Sequence, residues 1–326
     1  MRKITYENNA YAADEGESVL DCLQRHGHDI PYGCKVGACH SCLMVASGGK
    51  PTDASQEGLR DTKRAGGYFL SCRCIPEADM TVTLPDEPVR TFETRVLERT
   101  LLNHEVIRLR LQKPAGLDYH AGQFIQLHGP KNAIRSYSLA STANVDPWLE
   151  LHIRRVPFGI VSNWAHDALT EGASVTISTA MGECFYLPER RDQPLLLIGT
   201  GSGLAPLWGI LRDALHSDHS APIYLYHGGS YSDGLYLVDE LRSLDARHEG
   251  FHYTPTLSRD TMEDVARGRA HEIAMRAHGN LKGWRVFLCG HPDMVKAARI
   301  AAFMAGVAMD DLYSDPFVFA PRPSAA

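Results

Sequence analysis

Eight cysteines stand at positions 22, 34, 39, 42, 72, 74, 184 and 289, and six of them precede residue 75. Three fall in "YGCKVGACHSC" (Tyr32 to Cys42), as Cys34-x4-Cys39-x2-Cys42, and Cys72 follows after a further 29 residues. Three thiolates from one tight loop and a fourth from a distant segment suit a cluster of two irons and two bridging sulfides. Gly33 and Gly37 allow close backbone approach and unusual φ values. Small Ala38 and Ser41 leave backbone N–H groups free to point at sulfur, where they stabilise negative charge. Two other chemistries use cysteine. Zinc favours two short Cys pairs or histidine partners, and His40, the one histidine inside the loop, has the ordinary reading of a surface residue. A redox dithiol would pair Cys39 with Cys42 and leave Cys34 and Cys72 unexplained. Along a strand Cys72 and Cys74 would point the same way, so spacing alone leaves open which of them closes the cage.

Two further constellations follow. In "RSYSLAS", Arg135 offers a bidentate donor for a pyrophosphate, Tyr137 a flat partner for a ring system, and Ser138 a hydroxyl able to bond near the reactive nitrogen of a flavin. Downstream, "LHIRRVPFGIVSNW" ends in a Gly159-x-x-Ser162 turn into a helix, whose free N–H groups suit phosphate. "LLLIGTGSGLAP" then runs from a buried strand through Gly199, Thr200, Gly201 and Gly203 into a helix, a close-approach turn suited to a second pyrophosphate. It is not the G-x-G-x-x-G fingerprint, because its third glycine comes early and Pro206 lies at the helix start. "FLCGHPDMV" sets Cys289 and Gly290 at the end of a later strand, before Pro292. Taken singly, each has a bland reading: a polar strand, a common helix start, a plain strand–turn–helix, a packed thiol.

The elements that must hold these residues divide the chain into three. Residues 1–88 are cysteine-rich and end at "TLPDEPVR", where two prolines mark a linker. Residues 89–190 hold six or so short strand-like runs with turn residues between them and one helix near "IVSNWAHDAL", the pattern of a small antiparallel barrel. Residues 191–326 alternate apolar strands with helices, which gives βαβ units and a parallel sheet. The fold class expected is thus multidomain, α+β and α/β. A length of 326 residues accommodates two or three domains. The net charge of −6 provides no basic footprint for nucleic acid. No apolar run approaches the roughly 20 residues of a membrane span, and "MRKITYENNA" lacks the apolar core of a secretory signal. A cytoplasmic protein is expected, in which cysteines stay reduced; their crowding before residue 75 then argues for a local site rather than a disulfide framework.

With these residues in view, "ADEGESVLDCLQRHGHDIPYGCKVGACHSC" resembles the lead helix and cluster loop of a plant-type [2Fe–2S] ferredoxin domain, a β-grasp fold. The resemblance implies that Cys34, Cys39, Cys42 and Cys72 hold the cluster. The stretch after Cys72, "IPEADMTVTLP", is similar to the proline, acidic residue and final strand that follow the last ligand in that family. Cys22 and Cys74 remain packed thiols. The rest of the chain resembles the ferredoxin–NADP reductase superfamily, with a six-stranded FAD-binding β-barrel and a nucleotide-binding domain. That resemblance implies FAD held by Arg135, Tyr137, Ser138, Gly159 and Ser162, with the backbone around His152, Ile153 and Arg154. It implies a nicotinamide bordered by Gly199, Thr200, Gly201, Gly203 and Gly290, and a Cys289 thiol close to the carbon that gives hydride. Cys289 and Ser138 are the catalytic residues expected. Phe158 departs from the pattern, since relatives often have glycine there. The tail "YSDPFVF" (Tyr313 to Phe319) is similar to one that packs by the flavin, with Phe317 on the ring; ordinary C-terminal packing is the equal alternative. A 2′-phosphate would call for Arg or Lys near the adenosine ribose; "HGGSYSDGLY" has none, although Arg259 could approach. NADH is therefore expected, with NADPH the alternative.

The three modules in this order resemble single-chain reductase components of bacterial oxygenases, of the naphthalene-dioxygenase or phenol-hydroxylase reductase kind. This implies electrons passing from NADH through FAD and the cluster to a terminal oxygenase or an intermediate acceptor protein, carried by a monomer without nucleic-acid or membrane partners. A reductase of the CDP-6-deoxy-glucoseen type shares the modules and matches "RSYSLA", "ELHIRR" and "SDPFV"; its acceptor would be another cluster enzyme. A redox sensor with an inert reductase part is a third reading, opposed by the intact flavin and nicotinamide motifs. Lys35, His40 and Lys50, near the cluster loop in sequence, either flank a partner surface or are simply solvated.

Overall fold

Two left-handed residues, Glu7 and Asn8, turn β1 (Arg2–Tyr6) back into β2 (Asn9–Ala13), the geometry of a type I′ hairpin. The computed structural model describes residues 2–37, 39–85 and 90–318. The chain forms two compact units, Met1–Val89 and Arg90–Ala326. In the first, α1 (Val19–Arg25) starts at Ser18, whose Oγ accepts from the Asp21 N–H, a side-chain N-cap. The loop holding Cys34, Cys39 and Cys42 follows, then β3 (Leu43–Gly48), α2 (Asp53–Gln56), α3 (Asp61–Ala65), β4 (Tyr68–Leu70) and β5 (Met80–Thr83). The sheet order is β2-β1-β5-β3-β4, with β1 and β5 parallel. Ile4, Leu20, Leu23, Phe69 and Val82 form its core. Ala38 and the stretch 86–89, in the expected linker, lie outside the described residues, as do Phe319 and the tail after it.

The second unit opens with β6 (Thr91–Leu101), β7 (Val106–Gln112), β8 (Phe124–His128), β9 (Ile134–Ser138), β10 (Trp148–Arg154), α4 (Ile160–Asp167) and β11 (Ser174–Ser178). These strands form a six-stranded antiparallel sheet ordered β10-β7-β6-β11-β8-β9. A bridge between Leu139 and Leu151, just past β9 and within β10, joins its two ends and closes the sheet on itself. Alternation along β7 and β10 sends Ile107, Leu109, Leu149, Leu151 and Ile153 into the barrel core.

From β12 (Leu195–Thr200) the same unit alternates α5 (Leu204–His216), β13 (Ile223–Gly229), α6 (Val238–Arg247), β14 (Phe251–Leu257), β15 (Ala266–Arg267), α7 (Ala270–Ala277), β16 (Arg285–Gly290) and α8 (Pro292–Met304), with Pro292 at the first helical turn. The sheet is parallel, ordered β15-β14-β13-β12-β16-β17. Its last member, β17 (Leu312–Pro316), occupies part of the stretch expected to be a packing tail. An Asp-Pro ending reads as a loop, and only an edge position tolerates it, since proline cannot donate to a ladder.

Candidate functional site

In the first unit the loop thiols meet as two pairs. The Cys34 N–H donates to Cys39 Sγ (3.3 Å), and the N–H groups of Val36 and Cys39 donate to Cys34 Sγ (3.4 Å each). Cys42 Sγ lies 3.3 Å from Cys72 Sγ. Cys34 and Cys39 are exposed, Cys42 is buried and Cys72 is half-buried. Among the described residues no three His, Cys, Asp or Glu side chains converge as a single-ion cage would require. Two thiol pairs instead fit a two-iron group held by four cysteines. Gly33 forms part of the cradle: a Cβ there would sit 3.1 Å from Cys39 Sγ. The Ser41 hydroxyl, then the Ser41 and Cys34 N–H groups, pull the Cys39 thiol down to about 6. Burial and the Cys42 thiol push Cys72 up to about 11.

Cys74 turns the other way. Its thiol is fully buried, 3.9 Å from Met80 Sδ. The strand expected through Cys72 and Cys74 ends at Leu70, and Ser71–Arg73 form a 3-10 turn. At three residues per turn, positions two apart no longer share a face. Cys22 is likewise buried, 3.6 Å from the Ala12 carbonyl. Lys35 is bound to Asp21 (2.7 Å), while His40 and Lys50 are exposed.

In the second unit β9 leaves Ile134, Arg135 and Ser136 exposed and Tyr137 half-buried, an uncovered strand beside a filled barrel. A large planar group fits there. Arg135 touches the Ile134 carbonyl (2.7 Å) and projects into solvent. Ser138 donates to Asp315 Oδ2 at 3.3 Å. On β10, Ile153 faces the barrel core and His152 bonds Glu150 (3.1 Å) and Tyr236 (3.3 Å), so both offer a cofactor backbone only. Arg154 pairs with Glu105 (3.1 Å). At the head of α4, Ser162 Oγ accepts from the Val156 N–H (3.2 Å), and a Cβ on Gly159 would collide with that hydroxyl. Phe158 stands at φ 62 and is 88% exposed. The position is left-handed, which explains why glycine suits it.

The β12 turn packs directly on the end of β16. A Cβ on Gly203 would strike the Cys289 carbonyl, and one on Gly290 (φ +121) would come 2.5 Å from the Thr200 oxygen. A Cβ on Gly201 would lie 3.8 Å from the Arg154 guanidinium, and one on Gly199 would lie 2.7 Å from Leu207. Thr200 Oγ1 accepts from the His291 N–H (3.1 Å). The Phe317 N–H donates to the Gly290 carbonyl (2.8 Å), so Phe317 stands beside this turn. Gly199, Thr200, Gly201, Gly203, Cys289 and Gly290 therefore come together at the C-terminal edge of a parallel sheet, where dinucleotides bind. Ser138 reaches the same edge through Asp315, which is paired with Cys289 across β16 and β17.

Three model families match the chain in order: a 2Fe-2S iron-sulfur cluster binding domain over residues 4–77, an oxidoreductase FAD-binding domain over 93–186 and an oxidoreductase NAD-binding domain over 197–299. The reductase component of a Ralstonia naphthalene 1,2-dioxygenase/salicylate 5-hydroxylase system is 31% identical, covering 94% of each chain. The chain belongs to the family of reductase components of oxygenase systems. Another member, the reductase subunit of an Amycolatopsis aromatic O-demethylase, is 34% identical over 87% of this chain and 89% of its own. The crystal structure of an Amycolatopsis cytochrome P450 reductase, GcoB, superposes with a TM-score of 0.68 at 30% identity, covering 97% of this chain and 99% of that one. As a reductase component the protein is an NAD(P)H-dependent oxidoreductase using FAD and a [2Fe–2S] cluster.

Sequence reasoning missed Asp315. Burial pushes its carboxyl up, and the Ser138 hydroxyl offsets part of that; its signal was one acidic residue in an apparent tail. It also missed a buried polar ladder between barrel and sheet. Arg108 and Arg110 face Glu150, Glu150 bonds His152, His152 meets Tyr236, and the Tyr236 ring packs edge-on to His227. Burial alone would raise Glu150; His152 and the two arginines outweigh it and hold it at about 2. No helix among the described residues is long and apolar enough to cross a membrane.

Proposed function

We propose that this reductase carries electrons from NADH through FAD and a [2Fe–2S] cluster to a partner oxygenase, with residues 1–88 serving the cluster, 89–190 the flavin and 191–326 the nucleotide. One observation carries the reading: a hydroxyl on the flavin strand, Ser138, meets the strand neighbour of Cys289 at 3.3 Å through Asp315. When bound, FAD would supply the exchange of a two-electron hydride for single electrons, and a [2Fe–2S] cluster would carry them one at a time.

The chain's own residues set up that exchange. Arg135 and the head of α4 would neutralise the flavin pyrophosphate, and Tyr137 would flank its ring. Ser138 orients its hydroxyl through Asp315, a proton-holding pair next to the hydride path. Gly199 to Gly203 admit the nucleotide backbone, and the Cys289 thiol, kept uncharged by burial and by Cys184, borders the nicotinamide. The N–H donors on the Cys34 and Cys39 sulfurs would stabilise charge added to a bound cluster, and Cys72 would complete the cage with Cys42. The rim of the nucleotide edge supports NADH: Asp260, held by the Ser232 N–H (3.1 Å) and Oγ (2.8 Å), puts a carboxylate there. A single copy acting in the cytoplasm is part of the same reading.

The test is turnover with both cofactors loaded. NADH-dependent reduction of ferricyanide and cytochrome c is expected, with NADPH a poorer donor, followed by coupled substrate oxidation with oxygenase components encoded beside the gene. Absence of all reduction overturns the enzyme reading. Coupling only to an iron–sulfur sugar dehydratase overturns the oxygenase partner.

A further inference from the structure

A thiol that the proposed chemistry leaves unused faces one that it employs. Cys184 lies between β11 and β12, and its Sγ is 3.7 Å from Cys289 Sγ. Both residues are buried. Both main chains are packed at glycine distance. A Cβ on Gly122 would come 2.5 Å from the Cys184 carbonyl oxygen, and one on Gly203 would strike the Cys289 carbonyl. Gly290 fixes the other flank of Cys289 against Thr200. What is left to the Cys289 side chain is rotation about its own bond.

Its neighbours decide that rotation. Asp315 is the strand neighbour of Cys289 across β16 and β17. The Asp315 carboxylate accepts from Ser138. Either thiol of the pair can donate across the 3.7 Å between them, and a sulfur is a weak but adequate acceptor for the Cys289 S–H. A second thiol also adds no charge beside Asp315, as a carboxylate or histidine at 184 would.

We propose that Cys184 is a positioning residue for hydride transfer: its sulfur takes the Cys289 S–H and fixes the sulfur face that the nicotinamide meets. The inference rests on the reading that Cys289 borders the nicotinamide. It differs from packing alone, because it requires an acceptor at 184 and not just volume.

The experiment is anaerobic stopped-flow reduction of the fully loaded protein by NADH, recorded with the long-wavelength charge-transfer absorbance of the nicotinamide–flavin complex. Cys184→Val fills the space without an acceptor, and Cys184→Ser keeps one. Expected for Cys184→Val is a limiting reduction rate down about tenfold and a weakened charge-transfer band, with the half-saturating NADH concentration within about twofold. Cys184→Ser recovers most of both signals. If the two variants behave alike, both intact or both impaired, the proposal is overturned. Should Cys184→Val not retain FAD, Cys184→Ala replaces it with the same two outcomes. Reduction of the wild type by NADH tests the nicotinamide reading separately: if it is absent, that reading goes, and if it is present while the variants match, the thiol pair alone goes.

Discussion

Cys72 and Cys74 differ by two positions and by everything that matters to a metal. One thiol reaches Cys42 at 3.3 Å and the other is sealed in the core against Met80. Cys72→Ser is therefore expected to abolish the visible absorption of the cluster, while Cys74→Ser leaves it; the reverse result in absorption spectra would exchange the two assignments. Asp315→Asn removes the half-buried carboxylate behind Ser138 and should slow flavin reduction by about tenfold to a hundredfold with FAD content unchanged, measured by stopped flow. The thiols and glycines of the proposed site stood out in the sequence because iron and phosphate demand particular residue types at particular spacings. Asp315 and Cys184 were not. Their contacts span 177 and 105 residues, and no local pattern encodes a meeting over that distance.

At the level of elements, apolar periodicity marked the barrel strands, the central parallel strands and the long helices, since each buries one face or two. It failed where burial is slight or the element short: β17 at the sheet edge, and the single 3-10 turn that separates Cys72 from Cys74. The loop feeding α4 shows a local conflict. Phe158 holds a left-handed backbone while its ring is almost wholly exposed, so it bears a steric cost with little packing in return. That cost, about 1–2 kcal/mol, exceeds the chain entropy a glycine would add, about 0.5–1 kcal/mol. Phe158→Gly should raise the melting temperature of the loaded protein by about 1–3 °C, read by calorimetry; a lower temperature would mean that the ring has a partner in solution.

For the whole molecule, the buried histidines set an acid limit. Burial holds His227 down to about 3 and His219 down to about 4. Above the ordinary imidazole value of 6.5 both are neutral, folded or unfolded, and pH has no effect through them. Below it the unfolded chain takes up protons that the folded chain refuses, so stability falls as pH drops, reaching its full loss only below about 3 for His227. That histidine alone contributes a slope of about 1.4 kcal/mol per pH unit, and His219, partly exposed, contributes less. Urea midpoints should fall between pH 6.5 and 5, and His227→Gln should flatten that decline; an unchanged slope would show that His227 is protonated in the fold.

The strand β17 gives the protein an order in time. All four cysteines proposed to hold the cluster have been synthesised by residue 72, and Ser138 waits on the growing chain for a carboxylate that arrives 177 residues later. An unfinished polypeptide can thus gather its irons well before its hydride-receiving end is complete. Ribosome-bound chains stalled short of residue 312 are expected to take up iron and sulfide yet not to oxidise NADH, measured on purified stalled complexes. The wire is built from its outlet inward, and it stays dead until the last strand docks.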